Sequence, residues 1–144
     1  MERNKVFDGK HNLLKAGGLI IRENNNHKEI LLISSDHKSY SFPKGHREPN
    51  EILGECAVRE CFEETGLRTE IIKELPELRY TNSETKDNIE VHLYQMKIIG
   101  GKLKSESKDI DLLWVPIEKA EEYFDYQNMK DYIFLAKNRF TSWI

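Results

Sequence analysis

The order of the apolar runs predicts a mixed α/β domain in which helices cover a sheet. Three observations predict it: short Ile- and Leu-rich runs of strand length, one central run with helical spacing, and a second helical run near the C-terminus. Residues 16–22 and 29–34 flank the stretch Glu23-Asn24-Asn25-Asn26-His27 and read as two paired strands. Residues 40–42 read as a short third. Residues 68–75 and 88–98 read as further strands; in the second, Ile89, Val91 and Leu93 share one face and Glu90, His92 and Tyr94 the other. Residues 112–115 read as the last strand. Pro116 with residues 118–124 reads as a helix start, because proline is tolerated in a first turn. In a terminal helix Met129, Ile133, Ala136 and Phe140 fall on one side, with Lys130, Asp131, Lys137 and Asn138 facing water.

With 144 residues, no internal repeat and no low-complexity tract, the chain reads as one domain over 1–144. Its 38% hydrophobic content excludes a largely disordered protein. The 22 Lys and Arg against 25 Asp and Glu leave a net charge of −3, which excludes a polycationic footprint for nucleic acid or an anionic bilayer. No apolar run approaches the roughly 18 residues of a membrane span, and Met1 to Gly9 lacks a secretory signal's hydrophobic stretch, so the expectation is a cytoplasmic protein. Cys56 and Cys61, five apart on one helix, point about 140° apart and suit neither a disulfide nor a zinc pair.

The central helix carries the chemistry. Asn50 is placed to cap its start, Glu51 and Glu55 stand in early turns, and Gly66 is placed as a left-handed stop. On a wheel, Leu53, Ala57, Val58, Cys61 and Phe62 form a broad apolar face, while Glu60, Glu63 and Glu64 share about a quarter of the circumference. Glu64 borders the core face. Like charges at this spacing, near a helical C-terminus whose dipole also opposes them, lower stability. A solvated acidic face would put its acids opposite the core, whereas a carboxylate at the core edge needs protonation, a basic partner or a hard cation. Arg59 offsets only part of three charges. Oxygen-only ligands suit Mg²⁺ or Mn²⁺ and not zinc.

Gly45, Glu51, Arg59, Glu60, Glu63, Glu64 and Gly66, with Leu67 after them and Cys61 in the aliphatic slot, resemble the complete signature box of the Nudix hydrolases. Residues Ala16-Gly-Gly-Leu-Ile-Ile21 before the box and Trp114-Val-Pro-Ile after it also resemble family positions. The resemblance implies an α/β/α sandwich with a mixed sheet, and hydrolysis of an organic diphosphate. It implies that Glu60, Glu63 and Glu64 hold Mg²⁺, or Mn²⁺, together with a carbonyl of the Lys44-Gly45 backbone, assigned to Gly45. Glu51 and Arg59 are expected to hold loop and helix together. In the family the general base is in some members a box glutamate and in others an acid from a later loop, and here it is open. The loop before Trp114 offers Glu106, Asp109 and Asp111, with Asp109 closest to the expected position.

The stretch Pro43-Lys44-Gly45-His46-Arg47-Glu48-Pro49 resembles asymmetrically cleaving diadenosine tetraphosphate hydrolases and, in its Pro-Lys-Gly form, diphosphoinositol polyphosphate phosphohydrolases. This implies Lys44, His46 and Arg47 as phosphate contacts. It also implies Tyr80 as a platform for a base, with Lys86 beside it. The partner expected is a small polyphosphate, with no membrane and no nucleic acid except a capped RNA end; the oligomeric state is open. Removal of an mRNA cap, another nucleoside-diphosphate hydrolysis, a catalytically silent nucleotide-binding module and a protein-interaction domain are the alternatives. The intact acids speak against the silent module, and no basic stripe or dedicated RNA-binding domain speaks for the cap.

Overall fold

The computed structural model describes residues 12–140, so the stretch Met1 to Gly9 lies outside the described residues. Strands β1 (Asn12–Asn24) and β2 (His27–Ser34) form a hairpin whose two-residue turn is Asn25 and Asn26, at φ 52° and 68°. Asparagine tolerates that left-handed region, and a turn of this hand matches the strands' twist. The short β3 (Lys44–His46) pairs with β1, helix α1 (Leu53–Thr65) follows, and then come β4 (Leu67–Glu74), β5 (Leu78–Thr81), β6 (Asn88–Gly101) and β7 (Asp111–Pro116). A 3₁₀ segment (Ile117–Tyr123) leads to α2 (Gln127–Ala136) and a last 3₁₀ turn (Lys137–Arg139).

The seven strands form one mixed sheet with the path β4-β6-β1-β2-β7; β3 joins at β1 and β5 at β6, and β1 and β6 run parallel. Alternation along the strands supplies a core on each face. Leu13, Leu19 and Ile21 of β1 and Ile89, Val91 and Leu93 of β6 pack with Met129, Ile133 and Ala136 of α2. Ala16 and Ile20, with Leu31 and Met96, pack against Cys56, Ala57 and Cys61 of α1. The expected α/β/α sandwich is the architecture observed. No helix among the described residues is long and apolar enough to cross a membrane.

Several local expectations need correction. Residues 40–42 make only an isolated bridge, Ser41 to Ile33, and the strand lies instead at Lys44–His46. Glycine on β1 decides this: a Cβ at Gly17 would stand 2.1 Å from the Pro43 carbonyl, so the segment can approach only here. Asn50 does not cap α1. It adopts φ 66°, and the cap is Ile52, whose N–H donates to Glu55 at 3.3 Å. Gly66 ends the helix at φ 77° as expected. Phe62, placed on the apolar face by the wheel, is 50% exposed, and β5 was not foreseen. After Pro116 the chain turns as a 3₁₀ segment, burying Ile117 and Ala120 at the i,i+3 spacing that such a helix eclipses.

Both cysteines are free and buried. Burial, reinforced by the Glu51 carboxylate, pushes the Cys56 thiol up to about 12, and burial raises Cys61 as well. The folded protein is therefore expected to resist iodoacetamide at pH 8 and to take up two labels in denaturant, as mass spectrometry would count. Fast labelling of the native protein would contradict this burial.

Candidate active site

Strand β3 distributes its residues between the two faces of the sheet. Lys44 points to the α2 face, where its Nζ donates to Ser41 Oγ at 2.6 Å. Gly45 faces α1, where a Cβ would stand 2.2 Å from the Glu60 carboxyl carbon, so only glycine leaves room for that side chain. The Lys44 N–H points out of the sheet edge and donates to Glu64 Oε1 at 2.7 Å. In an antiparallel pair a residue's N–H and C=O point the same way, which turns the Lys44 carbonyl toward Glu64 too. The Gly45 carbonyl points inward instead and accepts from Cys56 Sγ at 3.7 Å. Of the two carbonyls considered, the one on the carboxylate side belongs to Lys44 and not to Gly45.

Arg59 gathers the acids around β3. Its Nε and Nη2 fork onto Glu51 at 2.7 and 2.9 Å, Nη1 donates to Glu60 at 2.8 Å and to Glu63 at 3.2 Å, and Nη2 also reaches the His46 carbonyl at 3.1 Å. These bonds raise Arg59 above its ordinary value and hold the Glu51 carboxyl low, the hydrogen bond from Arg59 being the largest cause. Glu60 is only 3% exposed, deeper than the expected core-edge residue, Glu64. Glu63 remains on the surface.

Burial raises the Glu64 carboxyl to about 7 despite the Lys44 N–H, and the charges of Glu60 and Glu106 push in the same direction. Of the three loop acids, Glu106 is the one whose charge reaches Glu64. The loop is brought there by Lys104, whose N–H donates to Thr65 O at 2.8 Å at the end of α1. Asp109 is exposed, with its backbone N–H on Ser107 Oγ, and Asp111 pairs with His37. Glu60, Glu63 and Glu64 do not together close to within 4.8 Å; among the described residues the trio that does is Glu77, Glu90 and His92. The members of that trio already have partners. Arg79 bridges Glu77 and Glu90 at 2.8 Å each, and His92 Nε2 meets Glu90 at 2.7 Å. The box carboxylates fit a hard divalent cation by their chemistry: oxygen donors only, with one carboxyl whose charge the protein leaves under-compensated.

On the α2 face lies a cavity of about 520 Å³ lined by Tyr40, Ser41, Lys44, Tyr80, Tyr126 and Met129, among others. Tyr80 is thus brought into one cavity with Lys44. Burial, then the positive charge of Lys15, holds Lys44 down at about 8, partly offset by Glu64. His46 and Arg47 do not line the cavity; Arg47 donates its N–H to Leu14 O at 3.2 Å. Lys86 is exposed and closes the β5–β6 turn at φ 64°, away from the lining. Two residues escaped the sequence reading. Lys15 could have been noticed as a cation inside the apolar stretch 13–21, and Tyr126 as an aromatic directly before α2.

A family model described as the NUDIX domain matches residues 13–136. Nudix hydrolase 12, mitochondrial, of Arabidopsis thaliana is 30% identical over 116 residues, 73% of this chain and 56% of that protein. The mRNA-decapping protein of African swine fever virus is 26% identical over 140 residues, 94% of this chain and again 56% of the relative. The chain thus spans about half the length of these relatives. Among solved structures, a binary complex of the C. elegans Ap4A hydrolase superposes with a TM-score of 0.70 at 25% identity, covering 88% of this chain and 97% of that one.

Proposed function

The chain belongs to the NUDIX family, and on that footing we propose that it is a Mg²⁺-dependent hydrolase of dinucleoside polyphosphates, with diadenosine tetraphosphate as reference substrate and Mn²⁺ as the alternative ion. The observation that carries this reading is the double attachment of Lys44. Its N–H holds Glu64 at the edge of the box, and its side chain opens into the cavity that Tyr80 lines. Phosphates bound by Lys44 therefore lie between the carboxylates and an aromatic platform for a base.

Glu60, Glu63, Glu64 and the Lys44 carbonyl are the groups available to a divalent cation, which supplies positive charge against the phosphate oxygens and makes nearby water more acidic. Arg59 and Glu51 fix the helix against β3, so that these oxygens keep their directions. Tyr80 and Tyr126 offer faces to the base, while Lys44, with the field of Lys15, draws the phosphate chain. Glu106 replaces Asp109 as the loop acid placed to receive a proton from the attacking water, since its charge already acts on Glu64.

The aromatic lining favours a nucleotide over a diphosphoinositol, which has no base to stack and brings more phosphates than the cavity's cations can match. The viral decapping protein gives cap hydrolysis its footing as a second reading. The deciding measurement compares diadenosine tetraphosphate, a diphosphoinositol and a capped RNA, each with Mg²⁺ and with chelator. The dinucleotide should turn over fastest and only with metal. Turnover that survives chelation, or faster release from either rival, would overturn the assignment.

A further inference from the structure

We propose that Glu84 reads the outer edge of the base held in the cavity, so that the protein prefers guanine, with its adjacent N–H donors, to adenine. This rests on the nucleotide reading of the same cavity. Glu84 lines the cavity from the turn between β5 and β6, and that turn is held in one shape. Asn82 Oδ1 accepts the N–H groups of Glu84 and Thr85 at 2.8 and 3.0 Å, the Asn82 carbonyl accepts that of Lys86 at 2.9 Å, and Thr85 Oγ1 accepts that of Asp87 at 3.2 Å. The acceptor of Asn82 is thus spent inside the turn. Among the described residues the Glu84 carboxylate has no salt bridge and no hydrogen bond, although Glu84 is part of the cavity lining.

A carboxylate there repels phosphate and so orients the ligand. Lys44 on β3 and the β5–β6 turn are separated by β1 and β6, three strand spacings or about 14 Å across the sheet, and by at least five residues along it, because Gly17 opposite Lys44 pairs with Leu93 and the turn lies beyond Asn88. Phosphates are drawn to the Lys44 side, and the neutral base is left beside Glu84. A carboxylate is acceptor-only. Guanine presents N1–H and an exocyclic N2 amine side by side, which such a group takes with both oxygens. Adenine presents an amine next to the N1 lone pair, which it opposes. Asn128, also in the lining, carries both a donor and an acceptor and does not discriminate.

The test compares diguanosine and diadenosine tetraphosphate as substrates, and GMP and AMP as ligands by calorimetry, for the wild type, Glu84→Ala and Glu84→Gln. The wild type should favour guanine about fivefold, the low end for a two-point contact because Glu84 is solvent-exposed. The difference should fall in KM, vanish in Glu84→Ala, and move toward adenine in Glu84→Gln, whose amide offers a donor. Equal use of the two bases by the wild type, or a ratio unchanged in Glu84→Ala, would sink the proposal. Failure to turn over either dinucleotide would instead strike the hydrolase reading, and the GMP and AMP titrations would still decide the selectivity.

Discussion

Glu64→Gln is expected to stabilise the metal-free protein at pH 8 by up to about 3 kcal/mol while lowering turnover at least about 10²-fold. An ordinary glutamate ionises near 4.5, whereas burial keeps Glu64 protonated up to about 7 in the fold. Between those values the unfolded chain has lost the proton and the folded one still holds it. Stability therefore falls as pH rises through this window, and the loss is complete above about pH 8. Glutamine never ionises, and its carbonyl can still accept the Lys44 N–H. The two proteins should melt together at pH 4 and differ by about 5–10 °C at pH 8. Mg²⁺ should then raise the wild type more than the variant. Coincident melting at pH 8 without metal would show that the carboxyl is not desolvated.

The same residue shows how far the sequence could be read. A wheel places Glu64 at the edge of the apolar face, which is enough to mark it as a carboxylate in an unfavourable setting. It does not show that Glu60 goes deeper, because the wheel weights side chains and not the strand beneath them. Glu60 is buried because glycine stands opposite it on β3. Alternation made β6 legible, and an Ile- and Leu-rich run marked the middle of β1; the four residues of β5 are too short to display a period. Loop 102–110 has no period at all. Its acids are placed by tertiary hydrogen bonds, Lys102 to Gly66 and Lys104 to Thr65, which bring Glu106 rather than Asp109 to bear on the site.

Arg59→Ala is expected to cost about 3–5 kcal/mol at pH 8, more than any exposed ion pair of the protein, because it strands carboxylates that the fold cannot hydrate. The side chains of Glu51 and Glu60 are only 13% and 4% exposed, and Arg59 is a partner of both. With Arg59 present the Glu51 carboxyl is held below its ordinary value. The stability this contributes is present above about pH 4.5 and is lost as pH falls through the lowered value. In the variant the acids that have lost the guanidinium relieve their cost by taking protons, so the gap between the two proteins should narrow from pH 8 toward pH 4 in urea melts. Glu51→Gln introduced alongside Arg59→Ala should recover part of the loss, whereas on its own it should destabilise, since it removes half of the fork. Lysine at 59 supplies charge but no planar fork, and should fall between wild type and alanine. Mg²⁺ should raise the melting temperature of Arg59→Ala more than that of the wild type, because a cation at the box can neutralise Glu60 but not Glu51. If the double variant is as unstable as the sum of the singles, Arg59 and Glu51 act independently and the hub assigned to the guanidinium does not exist.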